Sequence, residues 1–186
     1  GFDRHTGKQL WKVDALHSFW HNGIIAGGGL IYTLDRNPTK VEEILRRRGK
    51  SNPNTYRLLA IDARTGETAW ELPGQVFGTW LGYSEAHGFL LQAGAAASDR
   101  LSSETGQGMA VYRAKTGEVV WQKPDLQYSG PCVLHNDLII TNANSYRESA
   151  GAFHLIDGSQ KMVENSLTGK LQPWKITRAY GCNTII

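Results

Sequence analysis

The sequence predicts an all-β fold in which a unit of four short antiparallel strands repeats about three times. A short pattern that ends in tryptophan recurs at residues 1–11, 60–70 and 110–121, with a looser copy at 165–174. These tryptophans are separated by 59, 51 and 53 residues. Such a period is longer than that of ankyrin or tetratricopeptide repeats and suits a propeller blade with loop insertions. We therefore expect a partial β-propeller.

Each copy contains a Thr-Gly pair between two apolar, β-branched segments. Glycine supplies the positive φ that a tight hairpin turn needs, so the two segments are predicted to be paired strands. Two more strand-like segments precede each pair and are joined by short turns at 27–29, 86–88 and 135–137. Each unit is therefore predicted to contain four strands, each antiparallel to the next.

The repeated units give the predicted boundaries within a single domain. The end of one blade lies at 1–13, blades follow at 22–72, 81–123 and 130–175, and another blade starts at 176–186. Closed propellers contain about four to eight blades. We therefore expect this chain to be part of a ring whose remaining blades are missing from it.

The repeated pattern resembles the tryptophan-docking repeat of the pyrroloquinoline quinone (PQQ)-like propeller family, the quinoprotein alcohol dehydrogenases and their non-enzymatic relatives. Residues 60–70 match every fixed position of that repeat, whereas the other copies depart from it at one or more positions. In the family, the tryptophan of one blade packs against the Thr-Gly turn of its neighbour. The resemblance implies this docking role for Asp3, Thr6, Gly7, Trp11, Asp62, Thr65, Gly66, Trp70, Thr116, Gly117, Trp121, Thr168, Gly169 and Trp174.

Loop lengths indicate which face of the domain binds. In an antiparallel four-stranded unit, the first and third turns lie at one edge, and here they are short. The connections at the opposite edge are long, at 36–54, 95–107 and 142–149. Insertions on one face commonly mark the binding face of a repeat protein. The candidate binding residues on this long-loop face are His17, His21, Arg46, Arg47, Arg48, Asn142, Asn144 and Arg147.

The insertion at 36–54 is predicted to contain one short helix. Thr39 and Glu42 fit a capping box, and Gly49 can end the helix. The arginines at 46–48 then lie in the last turn, where the helix dipole favours cations. They fit either a phosphate or polyanion site or a solvated helix end, and the second is the simpler interpretation.

The resemblance implies two functional alternatives. Its enzymes bind PQQ and calcium over the ring centre and carry adjacent cysteines, whereas Cys132 and Cys182 lie 50 residues apart and are interpreted as buried thiols. No cofactor is evident, and His17 and His21 lack a third ligand for a metal. We therefore expect a non-enzymatic scaffold that binds a protein or an extended ligand. The alternative is part of a PQQ- and calcium-dependent alcohol or sugar dehydrogenase.

Composition argues against two other classes. The net charge of +3 is too small to indicate nucleic-acid binding. No apolar segment approaches the roughly 18 residues of a membrane span. The first residues contain no signal-peptide pattern. The resemblance alone implies a bacterial protein that is exported, periplasmic or part of the cell envelope.

Overall fold

The computed structural model describes residues 1–94, 107–142 and 151–174, which form mostly strands. The first sheet contains four antiparallel strands in chain order, β1 (Phe19–Gly27), β2 (Leu30–Asp35), β3 (Arg57–Asp62) and β4 (Thr68–Pro73). The second sheet repeats this order with β5 (Trp80–Ser84), β6 (Phe89–Ala93), β7 (Gln107–Arg113) and β8 (Val119–Gln127). These two sheets correspond to the predicted blades at 22–72 and 81–123. Before them, residues 1–13 contain a single bridge between Phe2 and Gln9.

The third unit differs from the blade predicted at 130–175. One sheet contains three strands, β9 (Ser129–His135), β10 (Leu138–Asn142) and β11 (Ala152–His154). A separate hairpin contains β12 (Met162–Glu164) and β13 (Leu171–Pro173). The chain after β11 turns back along it through the isolated bridge between Phe153 and Gln160, with main-chain bonds from His154 to Ser159 and from Lys161 to Ala152. It then continues into β12, which pairs with β13. Residues 176–186 lie outside the described residues.

The helix α1 (Thr39–Arg47) and a single 3-10 turn (Pro53–Thr55) lie between β2 and β3. Within the described ranges, no helix is both long and apolar enough to cross a membrane. The first strands of the three units are neighbours, since β1 packs beside β5 and β5 beside β9.

Two apolar cores lie between the sheets, and the second sheet contributes to both. Leu90 and Tyr112 belong to the core shared with the first sheet, whereas Leu91 and Val111 belong to the core shared with the third. Successive side chains on a strand point to opposite faces. A sheet covered on both faces therefore needs the continuous apolar sequences of β6 and β7, whereas the outer strand β4 has alternating exposure.

Three tryptophans connect consecutive units. Each indole N–H donates to a main-chain carbonyl oxygen of the next unit: Trp11 to Ala63 at 3.2 Å, Trp70 to Ala114 at 2.9 Å and Trp121 to Leu155 at 2.8 Å. Each ring also covers a glycine three residues after that carbonyl, namely Gly66, Gly117 and Gly158. All three glycines have positive φ, and a Cβ on any of them would lie 2.7–3.0 Å from the ring.

The turn that receives Trp121 is therefore at 155–158, not at the predicted Thr168–Gly169 pair. The positive-φ glycine that follows β11 is Gly158, so the turn contacted by Trp121 forms there, although Asp157 takes the place of threonine. Gly169 belongs to the β12–β13 hairpin, and the nearest atom to a Cβ placed on it is a Glu164 oxygen at 3.8 Å. Trp174 lies beside Val163 and Pro173.

Polar side chains shape the turns in the first two copies. Asp62 Oδ1 accepts hydrogen bonds from the main-chain N–H groups of Arg64 and Thr65, at 2.9 and 2.8 Å. Asp3 makes the same arrangement with His5 and Thr6. Because these bonds favour the carboxylate, they lower the pKa of both aspartates.

We predict that Gly66→Ala destabilises the domain more than Gly29→Ala. Both glycines have nearly the same φ, +78° and +80°. A Cβ at Gly66 would lie 2.7 Å from the Trp11 ring, whereas a Cβ at Gly29 has no atom within 4 Å. The overpacked contact should add about 1–3 kcal/mol to the backbone cost that the two variants share. Urea unfolding measures the difference, and equal losses in the two variants would contradict it.

Candidate functional site

The short turns lie at one end of the strands of each sheet, and the long β2–β3 connection lies at the other end. In each unit the third turn donates a main-chain hydrogen bond to the first turn: Ala63 to Gly29 at 3.1 Å, Ala114 to Gly88 at 2.9 Å and Leu155 to Asp137 at 2.7 Å. The β2–β3 insertion therefore leaves the sheet at the other edge. The predicted binding residues Asn144 and Arg147 lie outside the described residues, as does the side chain of Asn142.

The helix of the insertion ends as the sequence predicts but begins differently. Gly49 has a φ of +66°. Its N–H donates to Arg46 O, and the N–H of Lys50 donates to Leu45 O, which is the Schellman pattern. The capping box predicted at Thr39 is wrong, because Pro38 occupies the N-cap position and no side chain caps the helix.

Glu42 joins the helix to the rest of the insertion instead of capping it. Its carboxylate accepts hydrogen bonds from the hydroxyl groups of Ser51 and Tyr56, and from Asn37 Nδ2 at 3.4 Å. The first two bonds lower the pKa of Glu42 more than any other cause. Burial, and then the bond to Glu42, raise the pKa of Tyr56 to about 12. The carboxylate therefore fixes α1 against the segments that precede and follow it.

The helix α1 exposes apolar side chains in its middle and arginines at its C-terminal end. Val41 is 42% exposed and Ile44 is 47% exposed. The arginines predicted to lie in the last turn, 46 and 47, are there, Arg48 is the C-cap, and all three are exposed. No ion pair within the described residues uses any of these three guanidinium groups. We call these five residues, Val41, Ile44, Arg46, Arg47 and Arg48, the α1 surface.

The predicted binding residues His17 and His21 have different surroundings. His17 Nε2 is 2.9 Å from Thr55 Oγ1, and its ring packs edge-on against Tyr56. His21 is exposed and stacks beside Trp20. Across residues 1–94, 107–142 and 151–174, no three His, Cys, Asp or Glu side chains form a group that could hold a metal ion.

Asp35 anchors this edge of the first sheet. Its carboxylate is fully buried and accepts main-chain hydrogen bonds from Leu16, His17 and Ser18 at 2.7–3.0 Å. Arg57 Nε donates to the same carboxylate at 3.1 Å and supplies the opposite charge. A single side chain therefore holds the segment that carries His17 against the start of the insertion.

Arg36 is a residue of this region that the sequence interpretation misses. Its guanidinium lies 5.4 Å from the Trp20 ring centre and 5.8 Å from that of Tyr56, and Nη1 donates to Gly78 O at 3.4 Å. Burial lowers the pKa of Arg36, and this cause outweighs the opposing effects of Tyr56 and Glu42. The sequence signal that could have identified Arg36 is its position, because a charged residue directly follows the buried end of β2.

The two cysteines are interpreted from the sequence as buried thiols, and the structure describes one of them. Cys132 is buried, and burial raises the pKa of its thiol to about 12. Cys182 lies outside the described residues. The thiol of Cys132 therefore stays protonated at neutral pH and behaves as a small core side chain.

We predict that Asp35→Asn costs about 3 kcal/mol in the free energy of unfolding. The amide has one acceptor oxygen for the three main-chain N–H groups, and Arg57 keeps only its exposed partner Glu71, at 2.9 Å. The control is Asp14→Asn. Asp14 pairs with Lys12 while remaining 76% exposed, so its loss should cost less than about 1 kcal/mol. Urea unfolding compares the two, and similar losses would contradict the anchoring role.

We predict that Glu42→Gln removes part of the acid sensitivity of the domain. The folded pKa of Glu42 lies below its ordinary value of 4.5, so its stabilisation is present above that value and is lost as pH falls through the folded value. At neutral pH the variant should lose about 1 kcal/mol. The difference from wild type should shrink as pH falls below 4.5.

The matched control for this comparison is Glu43→Gln, on the exposed part of α1. It should follow the wild-type pH profile in urea unfolding. A constant difference between wild type and Glu42→Gln at every pH would contradict the role of the carboxylate.

Neither a protein-family profile nor a curated protein sequence matches this chain. Several solved structures are similar. BamB from Moraxella catarrhalis aligns with a TM-score of 0.50 and 15% identity, over 82% of this chain and 38% of that one. A europium-containing methanol dehydrogenase gives a TM-score of 0.49 at 12% identity, over 81% of this chain and 26% of that one. The quinohemoprotein alcohol dehydrogenase ADHIIG from Pseudomonas putida HK5 gives 0.42 at 14%, over 73% and 19%.

The chain thus spans less than two fifths of the length of each of these proteins. At these identities the similarity shows the fold alone. Together with the repeated antiparallel sheets, it confirms the predicted fold class, a partial β-propeller.

Proposed function

We propose that this chain is part of a non-enzymatic scaffold that binds a partner protein through its long-loop face. The α1 surface is the proposed contact, and the proposed occupant is an acidic segment that carries apolar side chains. The observation that carries the proposal is the pair of exposed apolar residues, Val41 and Ile44, next to three arginines without ion pairs in the described part of the chain.

The occupant follows from complementarity. A partner that covers Val41 and Ile44 removes apolar surface from water, which is the main source of favourable free energy in association. The arginines beside them favour carboxylates, which a planar guanidinium can bind through two hydrogen bonds. The helix contains two acids. Glu42 is engaged by Ser51 and Tyr56, and the exposed Glu43 forms no ion pair with the arginines in the described part of the chain.

Hydrogen bonds hold the insertion that presents this surface in place. Glu42 binds both flanks of the insertion, and Asp35 fixes the start of it against the segment at 16–18. A partner would therefore meet a preformed surface and would not need to order the loop first. An exported location, which the resemblance implies, remains part of the proposal.

We predict that a photo-crosslinking amino acid at position 44 of the full-length protein captures an acidic, apolar segment. The same amino acid at Arg64, which is exposed in the β3–β4 turn at the opposite edge, is the control. The captured segment is identified by mass spectrometry and then made as a peptide. Its affinity should fall at least tenfold in the R46E/R47E/R48E variant, because like charges now face each other, and should fall with added salt.

Two results would overturn this proposal. Equal capture from positions 44 and 64 would show that the α1 surface is not selective. A peptide whose affinity is unchanged by the three charge reversals would show that the arginines take no part in binding.

The dehydrogenase alternative has its own test. Adding PQQ and calcium to the full-length protein should produce the bound-quinone absorbance and dye-linked alcohol oxidation if that alternative is correct. Absence of both would remove it.

A further inference from the structure

The residues of the α1 surface do not all lie on one face of the helix. Successive residues of an α-helix are rotated by about 100°, so residues three, four and seven positions apart share a face. Val41, Ile44 and Arg48 are spaced in this way. The N–H of Arg48 donates to Ile44 O at 3.1 Å, so the helical path extends to this residue. This face, which we call the Val41 face, presents two exposed apolar side chains followed by a cation.

Arg46 lies on a different face of α1. It follows Glu42 by four residues, a distance at which helical side chains are neighbours. Glu42 and Leu45 are both partly buried, and Glu42 binds Tyr56, so these two residues mark the side of α1 that faces the insertion. Arg46 and Arg48 are therefore both exposed cations, but only Arg48 lies in line with the two apolar residues.

The spacing along the Val41 face matches a helix better than a strand. Val41 and Ile44 are separated by a rise of about 4.5 Å, and Ile44 and Arg48 by about 6 Å. Side chains on one face of a partner helix have the same intervals, whereas those on one face of a strand are about 6.8 Å apart. By the third side chain, an extended segment would be displaced by about 3 Å. A helix can therefore match all three positions.

The charges indicate the direction of that helix. Acidic side chains are favoured in the first turn of a helix, where they complement the partial positive charge of its N-terminus. Arg48 lies at the C-terminal end of α1, so a partner helix with its acid in the first turn runs antiparallel to α1. This arrangement also places the opposite ends of the two helix dipoles side by side. The apolar side chains of the partner then follow its acid by four and seven residues, opposite Ile44 and Val41.

We propose that the Val41 face binds an amphipathic helix of the partner in antiparallel orientation. That helix carries an acid in its first turn and apolar side chains four and seven residues later. This inference rests on the proposed function, because it concerns the occupant of the α1 surface. It adds the secondary structure, the direction and the spacing of that occupant, and it assigns the charge contact to Arg48 and not to Arg46.

The test follows the methyl resonances of Val41 and Ile44 in the methyl-labelled full-length protein. The first peptide, a lactam-bridged helix of about 14 residues, carries a glutamate in its first turn and leucines four and seven residues later. The second peptide has the same residues in reverse order, so its leucines precede the glutamate. We expect saturable shifts of both methyl groups with the first peptide. The dissociation constant should be at least about tenfold higher for the second.

A third peptide tests the secondary structure of the occupant. It has the sequence of the first peptide without the bridge and with a central proline, which prevents a continuous helix. Its dissociation constant should also be at least about tenfold higher than that of the first peptide, because it cannot place all three side chains against the Val41 face.

Matched charge variants test the assignment of the arginines. Arg48→Gln should raise the dissociation constant of the first peptide about tenfold, because a charge-assisted hydrogen bond is lost. Arg46→Gln removes the same charge from a different face of the helix and should change the dissociation constant less than about twofold. Both measurements use about 0.15 M salt, at which exposed charges more than about 8 Å apart are largely screened.

Absence of methyl shifts with the first peptide would overturn the inference. So would equal affinity for the two peptide orders, or equal losses in the two arginine variants. The outcomes are distinguishable from those of the crosslinking experiment. A captured acidic segment whose affinity is unchanged by a central proline would uphold the proposed function and overturn this inference, whereas equal capture from positions 44 and 64 would overturn the proposed function itself.

Discussion

The structure depends on one repeated contact, an indole that covers a glycine of the next unit and donates to a carbonyl oxygen three residues before it. The units cannot be held by backbone pairing, because each sheet pairs only within itself. Trp11, Trp70 and Trp121 therefore supply directional contacts between sheets whose remaining contacts are largely apolar. The receiving glycine lets the ring approach because it has no Cβ, which would lie 2.7–3.0 Å from the ring.

The spacing of tryptophans was sufficient to predict a repeated antiparallel fold, since a period of this length is typical of propeller blades. It was not sufficient to place the turn that receives Trp121. Thr168 and Gly169 match the expected residues, but the turn that Trp121 contacts directly follows β11, at Leu155–Gly158. The Thr168–Gly169 pair indicates the wrong turn, because the contact with Trp121 depends on where the main chain turns after β11 and not on a threonine.

The site was predicted less completely than the fold. Insertion length located the long-loop edge, and the arginines at 46–48 are exposed on its helix. Local sequence could not show that Glu42 binds Ser51 and Tyr56, nine and fourteen residues away. Nor could it show that Arg36 reaches Trp20 and Gly78, because those contacts cross between elements that only the tertiary structure brings together.

The indole contacts main-chain atoms of the receiving turn, so the contact does not restrict which side chains the turn carries. Ala114 and Leu155 both serve as the accepting residue, and Arg113 stands where another copy has Asp62. Side chains on the turn can therefore change while the joint between blades stays intact. A chain assembled in this way can diverge in sequence at its turns and keep its architecture.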